Sequence, residues 1–234
     1  MDKLAPSGDW EQGEAEAIER TSAGLRVRVS GNWLEAQRVF IGAPAYVAGK
    51  LMRPFNAEVA DTLNSIPYNS SMTMSLIYDR KTFDHPLKGF GFLVPKLERR
   101  HLKACTWVNN KFNHRAPDDK VLLRCFLGGE SYSETDQALV QAAQDELRTL
   151  MGLQAKPVAS HVARWPDSMA QYTVGHAKRV LRIKALMSGI PGIQLGGNGF
   201  YGIGVPDCIH SGKEAAQTIV QELAGATEMA AIRR

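Results

Sequence analysis

The chain has 234 residues, which is enough to bury a full hydrophobic core and to hold one or two domains. Its 28 Lys and Arg and 24 Asp and Glu give a modest formal charge of +4, and no basic run alternates with aromatic residues, so a nucleic-acid-binding face is not expected. Three cysteines, Cys105, Cys125 and Cys208, lack the spacing of a metal site and favour reduced thiols in a cytoplasmic protein. No apolar stretch reaches the length of a membrane span, so at most peripheral membrane contact is expected.

The N-terminal region predicts a β-meander. Leu25–Val29 alternates apolar and charged residues, as a half-buried strand does, and Ala15–Ile18 precedes it. Gly31 and Asn32 mark a hairpin-like turn, after which Ala36–Ala43 predicts a further strand that ends at Pro44.

The middle of the chain predicts two helices and then an antiparallel sheet. Ser70–Tyr78 places its methionines and leucine on one face, as a strand with one apolar face does. Ser133 and Asp136 form a predicted capping box for a helix that ends at Gly152 and buries one stripe. The helices are predicted at Ala45–Leu51 and Ala57–Ile66, the other strands at Ala104–Val108 and Leu122–Leu127, and the stripe at Leu139, Ala143, Leu147 and Leu150.

Two glycines separated by an aromatic residue mark the segment Lys88–Pro95. Gly89 and Gly91 allow a backbone carbonyl to be exposed beside a flat ligand, while Phe92 and Val94 stay buried. A bulged strand without a ligand explains the same pattern equally well.

A glycine-rich loop near the C-terminus is the most informative stretch. Five glycines at 196–204 follow a buried strand at Ile193–Leu195, and Pro206 suits the first turn of a helix that runs to Gly225. The free N–H groups at the start of that helix are expected to hold a phosphate or another electron-rich group. A strand-to-helix turn without any ligand is the alternative.

The exact residues of this loop resemble a known family. Gly197-Asn198, followed by Tyr201–Ile209 and Ser211-Gly212, closely resembles the C-terminal flavin-closing motif of the protoporphyrinogen and coproporphyrinogen oxidases, in the FAD-dependent amine oxidase superfamily. Those proteins usually have Ala-Tyr after the Asn, where this chain has Gly199-Phe200-Tyr201. The segment around Gly91 is similar to the family's Gly-Phe-Gly loop, which lies beside the tetrapyrrole.

The resemblance implies residues for both ligands. Ala15 would contact the adenine through its backbone, and Trp165 and the Gln171-Tyr172 pair would lean on the flavin ring, with Ala170 where the family has proline. Substitution of leucine for Gly91 is expected to fill the space that the tetrapyrrole needs. From pattern alone, Phe126 and Trp165 are interpreted as core residues. The implied FAD contacts are Ala15, Trp165, Gln171, Tyr172, Gly197, Asn198, Gly202, Ile203, Gly204 and Val205, and the implied substrate contacts are Phe90, Gly91, Leu93 and Phe126.

The resemblance also implies an α/β fold in which part of the FAD-binding domain surrounds an antiparallel substrate sheet. No strand, GxGxxG turn and helix that would cradle the pyrophosphate are predicted in the N-terminal part of the chain, so the resemblance is to the C-terminal half only. Residues 1–50 and 186–234 are expected in the FAD-binding domain and residues 51–185 in the substrate domain. A separate chain that supplies the missing half, a gene-model start and a true short form all remain open.

The activity that the resemblance implies is oxidation of protoporphyrinogen or coproporphyrinogen in haem biosynthesis, with FAD as cofactor and oxygen as acceptor. No catalytic acid or base and no metal ligand stand out, and His176 is interpreted as a structural, hydrogen-bonded residue. An amine oxidase or desaturase of the same superfamily and a non-catalytic fragment are the alternatives, but the segment at 89–95 favours the tetrapyrrole branch.

Overall fold

The computed structural model describes residues 8–98, 100–128 and 132–232, with side chains as far as residue 225. The chain forms two compact units, of which the first takes in the described residues of Met1–Pro67 and Ala170–Arg234 and the second is Tyr68–Met169. The boundaries of these two units differ from the predicted domain boundaries. Residues 51–67 and 170–185 belong to the first unit, where Arg182 forms a salt bridge with Glu58.

The first unit begins with the predicted meander. Strands β1 (Ala15–Thr21), β2 (Gly24–Val29) and β3 (Asn32–Ala36) form an antiparallel sheet in which β2 is central. Ile18 pairs with Val27, and the side chains of Ile18 and Leu25 are buried. The alternation of charged and apolar residues that predicted β2 therefore reflects a sheet with one buried face.

The strand predicted over Ala36–Ala43 is wrong as a single element. β3 ends at Ala36, and the separate strand β4 (Val39–Ile41) pairs in parallel with β10 (Ile193–Leu195). The N–H of Val39 already donates to the carbonyl of Gly192, so the chain leaves one sheet and enters the other across residues 37 and 38. The sequence does not show this switch, because apolar residues lie on both sides of Gln37 and Arg38.

Within its described residues, the first unit also contains four helices: α1 (Ala45–Met52), α2 (Ala57–Asn64), α5 (His176–Met187) and α6 (Val205–Ile232). The first two were predicted within one or two residues, and Asn56 caps α2 by accepting the N–H of Val59 at 3.1 Å. α6 continues through Gly225, where the prediction ended it. One helical glycine costs about 1 kcal/mol, and the alanine-rich residues that follow it favour a helix.

The second unit is a five-stranded sheet covered by a helix on one face. Its strand order is β6-β7-β8-β5-β9, and the β6/β7, β7/β8 and β8/β5 pairs are antiparallel. The predicted strands match β5, β7 and β8 within two residues, whereas β9 was not predicted, and the short helix α3 (Val108–Lys111) follows β7. The strands are β5 (Tyr68–Asp79), β6 (Gly91–Leu93), β7 (Leu102–Trp107), β8 (Lys120–Leu127) and β9 (Ala159–Ala170).

The covering helix, α4 (Asp136–Met151), packs on the face that carries Met72, Met74 and Leu123. Its predicted cap lies two residues too early, because Thr135 rather than Ser133 accepts the N–H of Ala138. Leu139, Ala143 and Leu147 are buried as predicted. Leu150 is exposed, since Met151 continues the four-residue spacing into the core, and Gly152 ends the helix with φ +73°.

Two polar features tie this core together. The buried carboxylate of Glu146 on α4 accepts the N–H groups of His101 and Leu102 at 2.8 and 3.1 Å and lies 3.0 Å from His101 Nδ1. Cys105 and Cys125 are cross-strand partners whose Sγ atoms lie 3.7 Å apart. Among the described helices, none combines the length and the apolar composition of a transmembrane segment.

Candidate functional site

The glycine-rich loop of residues 196–204 joins β10 to α6 in the first unit. Gly196 donates its N–H to the carbonyl of Ile41 at 3.1 Å, and Gly197 donates to the hydroxyl of Ser211 on α6 at 3.3 Å. Gly202 has φ +131°, and a Cβ there would lie 2.4 Å from Cγ of Asp207, so only glycine fits. The loop is therefore anchored to β4 and to α6 at once.

Tyr172 and His176 support the same loop. The Tyr172 hydroxyl donates to the carbonyl of Asn198 at 2.9 Å and accepts the N–H of Gly202 at 2.7 Å. Burial raises the pKa of the Tyr172 hydroxyl, which keeps the donating proton in place. The His176 ring stacks on Tyr172 with centroids 3.9 Å apart, and its Nε2 lies 3.0 Å from the carbonyl of Phe200. His176 is buried and hydrogen-bonded, as predicted for a structural histidine.

The start of α6 differs from the expected anion site. The carboxylate of Asp207, in the first turn, accepts the N–H of Gly204 at 3.2 Å. One donor that was expected to be free is thus engaged, and a negative charge already compensates the helix dipole. The expectation of a phosphate at this helix start is therefore not supported by the geometry of its first turn.

The loop forms one wall of an open groove of about 540 Å³, which we call the loop groove. Three apolar side chains along it are unusually exposed: Ile203 at 57%, Val205 at 73% and Ile209 at 67%. Apolar side chains gathered beside glycine backbone are typical of a site for a flat ligand. The lining residues are Gly42, Pro44, Gly197, Asn198, Ile203, Val205, Cys208 and Ile209.

The predicted FAD contacts fall into separate places. Gly197, Asn198, Ile203 and Val205 share the loop groove, while Gly202 and Gly204 lie in the loop itself. Gln171 and Tyr172 lie between β9 and α5, and Ala15 begins β1 of the meander. Trp165 lies in β9 of the second unit and stays a predicted contact.

The predicted substrate contacts lie together in the second unit, on the sheet face opposite α4. Leu93, Ala104, Phe126 and Thr73 are successive cross-strand partners, and they form one row across β6, β7, β8 and β5. Trp165 donates its indole N–H to the Thr73 hydroxyl at 3.3 Å, which places it beside this row. We call this surface the open face.

Large apolar side chains on the open face border an open cavity of about 490 Å³. Phe90, Leu93 and Phe126 line it and are 66%, 82% and 37% exposed. Trp165 is 51% exposed. The interpretation of Phe126 and Trp165 as core residues is therefore wrong, because the alternation of β8 and β9 turns both side chains away from α4.

Gly91 is required by the backbone of β7. Its φ is +145°, and a Cβ there would lie 2.1 Å from the carbonyl oxygen of Cys105 and 2.9 Å from Cα of Thr106. The expectation that Gly91→Leu would fill ligand space needs correction, since the added side chain would first meet the neighbouring strand. Gly91 thus allows β6 to pair closely with β7 and carries Phe90 and Leu93 on either side.

Sequence reasoning missed several residues of these two sites. Thr73 and Arg124 could have been found, because period-two alternation places them on the same face as Phe126. Gly42 carried no local signal, since it meets the loop only through the fold, whereas Ser211 belonged to the family motif but its contact with Gly197 was not predicted. Asp207 follows Gly204 by three residues, which is the spacing at which the third residue of a helix reaches back to the N–H of the capping residue.

Comparisons with known proteins agree with this geometry. The family model described as flavin containing amine oxidoreductase matches residues 14–220. The chain is 32% identical over 191 residues to the coproporphyrinogen III oxidase of Bacillus subtilis (strain 168), in a match that covers 80% of this chain and 40% of that protein. It is 29% identical over 201 residues to the chloroplastic protoporphyrinogen oxidase of Nicotiana tabacum, covering 80% of this chain and 36% of that protein.

A solved structure agrees in fold. The crystal structure of a provisionally named protoporphyrinogen oxidase from Exiguobacterium sp. 255-15 matches with a TM-score of 0.79 and 29% identity, over 91% of this chain and 47% of that chain. The chain thus spans less than half the length of the relatives it matches. Since the family model covers most of the sequence, the predicted resemblance is confirmed, and the chain belongs to the flavin-containing amine oxidoreductase family.

Proposed function

We propose that this chain supplies a flavin-contacting segment and the substrate sheet of an FAD-dependent porphyrinogen oxidase. The reaction is oxidation of coproporphyrinogen or protoporphyrinogen to the porphyrin in haem biosynthesis, with oxygen as electron acceptor. The observation that carries the proposal is the loop groove, where glycine backbone and uncovered apolar side chains meet. The names of the B. subtilis and N. tabacum relatives support the choice of substrate.

The first unit is proposed to contact FAD. When bound, FAD would supply the redox chemistry of the reaction. Gly197, Asn198, Ile203 and Val205 would cover one side of the cofactor, and Gly202 and Gly204 keep the loop thin enough for close approach. Tyr172 is a positioning residue here, because its hydroxyl is already bonded to the loop. Ala15, Gln171 and Trp165 remain predicted contacts.

The second unit is proposed to bind the tetrapyrrole on its open face. A porphyrinogen is large and mostly apolar, and each Å² of apolar surface that it covers stabilises binding by about 25 cal/mol. Phe90, Leu93 and Phe126 offer such surface, and Gly91 holds the strand that carries two of them. No acid or base is assigned, so these residues would act by positioning and by excluding water.

A further part of the flavin site is proposed to come from outside this chain. In the part of the chain that the structure describes, β4 and β10 form a parallel sheet of two strands. Parallel sheets are normally larger and buried on both faces. Additional strands from a GxGxxG-containing half, in the same protein or in a separate chain, would complete this sheet and hold the pyrophosphate. Membrane contact is proposed to be peripheral at most.

The test compares the chain alone with the chain co-expressed with the N-terminal half of the B. subtilis relative. The chain alone is expected to be nearly colourless, because it lacks the pyrophosphate contacts. The pair is expected to bind FAD, visible in its absorbance, and to turn coproporphyrinogen into a fluorescent porphyrin.

Two glycine variants provide the matched control. In the pair, Gly202→Ala should lower the FAD content, because its Cβ would overlap Asp207. Gly212→Ala on α6 should not, because no atom lies within 4 Å of its added Cβ. Stoichiometric FAD in the chain alone would refute the missing half. Peroxide release from a small primary amine without porphyrin formation would favour the amine oxidase alternative.

A further inference from the structure

A cationic side chain lies next to the apolar wall of the open face. Arg124 precedes Phe126 by two residues in β8, and strand alternation places both on the face turned away from α4. The cross-strand partners of Arg124 are Thr106 and Ser75, and Thr106 pairs in turn with Gly91. This second row runs beside the row that contains Phe126, one strand step of about 7 Å away.

Arg124 is exposed, and the described residues give it no hydrogen bond or ion pair. Its row neighbours are a threonine, a serine and a glycine, none of which carries a charge. The other cation at this wall, Lys111, lines the cavity with its Nζ 5.4 Å from the centroid of the Phe112 ring. No acidic side chain lines this cavity within the described part of the second unit. The open face therefore combines apolar area with uncompensated positive charge.

A broad, mostly apolar ring system with a carboxylate at its edge matches this combination. The guanidinium group presents a planar fork of donors that can bind both oxygens of one carboxylate. A porphyrinogen has this chemistry, since its ring system is apolar and its propionate side chains end in carboxylates. The ring would cover the wall of Leu93 and Phe126, and a propionate would then be within reach of a side chain one strand step away.

We propose that Arg124 binds a propionate carboxylate of the substrate and so orients the ring on the open face. This inference rests on the proposed function, because it takes the open face as the tetrapyrrole site. Apolar contact area alone does not fix the orientation of the bound ring, and Arg124 would supply a directional contact. Apolar contact can hold the ring system in many rotations, whereas one fixed ion pair selects few of them.

The test measures binding of two porphyrins to the purified 234-residue chain by fluorescence anisotropy. Coproporphyrin III carries four carboxylates, and its tetramethyl ester has the same ring system with none. Arg124→Gln is expected to weaken the Kd for coproporphyrin about tenfold, the effect of losing one partly exposed charge-assisted pair. The same substitution should leave the Kd for the ester unchanged, and Arg124→Lys should restore part of the affinity for the acid.

Arg148→Gln is the matched control. It removes the same charge from an exposed position on α4, where Arg148 pairs only with Asp145 in the described structure. This variant should bind coproporphyrin as the unmutated chain does.

Three results would overturn the inference while leaving the tetrapyrrole site in place. They are unchanged binding of the acid by Arg124→Gln, an equal loss for acid and ester, and an equal loss with Arg148→Gln. If the unmutated chain binds neither porphyrin, the open face is not the tetrapyrrole site, and the proposed function fails together with the inference. Binding of the ester thus distinguishes an error in the proposed role of Arg124 from an error in the proposed tetrapyrrole site.

Discussion

Gly91 and Gly89 offer a matched pair of substitutions on the segment that carries Phe90. Both have φ in the left-handed range, +145° and +79°, but their surroundings differ. A Cβ at Gly91 would lie 2.1 Å from the Cys105 carbonyl oxygen, whereas a Cβ at Gly89 would meet no atom within 4 Å. Gly89→Ala therefore tests the backbone conformation alone, and Gly91→Ala adds an overlap with β7.

The two costs can be separated in magnitude. A positive φ costs an alanine about 1–2 kcal/mol, and the loss of glycine's freedom in the unfolded chain returns about 0.4–1 kcal/mol. Gly89→Ala should therefore lower the free energy of unfolding by about 1 kcal/mol or less. Gly91→Ala must also displace β6, and such overpacking costs about 1–3 kcal/mol more. The expected total of about 1–4 kcal/mol is a large share of a typical domain stability of 5–15 kcal/mol.

Urea unfolding followed by tryptophan fluorescence would measure both variants. Trp107 is a suitable reporter, because its N–H donates to the carbonyl of Phe90 at 2.9 Å and its indole N–H donates to that of Lys88 at 3.2 Å. The midpoint should fall much further for Gly91→Ala than for Gly89→Ala, with little change in the slope. Equal midpoints for the two variants would refute the close approach of β6 to β7.

Three further predictions concern the loop, the sheet and the cysteines. Tyr172→Phe removes two hydrogen bonds to the loop at 196–204, worth about 1 kcal/mol each. Limited proteolysis followed by mass spectrometry should therefore show faster cleavage of this loop. An unchanged cleavage rate would contradict the supporting role of Tyr172. Glu146→Gln weakens a buried carboxylate site that accepts two backbone N–H groups, so urea unfolding should show a free energy of unfolding lower by about 2–3 kcal/mol. Glu134→Gln alters a half-exposed ion pair and should change the free energy of unfolding by less than about 1 kcal/mol. Similar losses for the two variants would argue against a special role of the buried carboxylate. Iodoacetamide should label partly exposed Cys208 in the folded chain and Cys105 only after unfolding, since the hydrogen bond to its partner thiol and burial raise the pKa of Cys105; early labelling of Cys105 would show that β7 opens readily.

The helices and strands that were predicted correctly are those whose hydrophobic spacing is visible within one continuous stretch of sequence. β5 and β8 were predicted because their alternation is uninterrupted, and α4 because its buried residues repeat every four positions. β4 could not be separated from β3, since its partner is β10, more than 150 residues away. Sequence patterns carry no information on such a partner until the fold brings the two strands together.

In the candidate sites, too, the residues with a local signal were predicted and the long-range contacts were not. The loop at 196–204 was predicted from its glycines and its family resemblance, and four of its predicted contacts share one groove. The roles of Tyr172 and Asp207 were not predicted, because they depend on side chains reaching backbone N–H groups across a turn. Trp165 lies in strand β9, on the sheet of the second unit, and its contact with the flavin stays a prediction. A sequence motif thus predicts which residues belong to a site, but it does not predict which other residues contact them in the fold.

The pairing of β4 with β10 has a consequence during protein synthesis. At about 5–20 residues per second, a ribosome needs roughly 8–30 s to make the 150 or so residues that separate these strands. All five strands of the second unit are complete before β10 is made, so this unit can fold first. β4 meanwhile presents an unpaired edge to other nascent chains and to chaperones. Slowed translation beyond residue 170 would prolong this exposure and should increase aggregation of newly made protein without changing the stability of the finished chain.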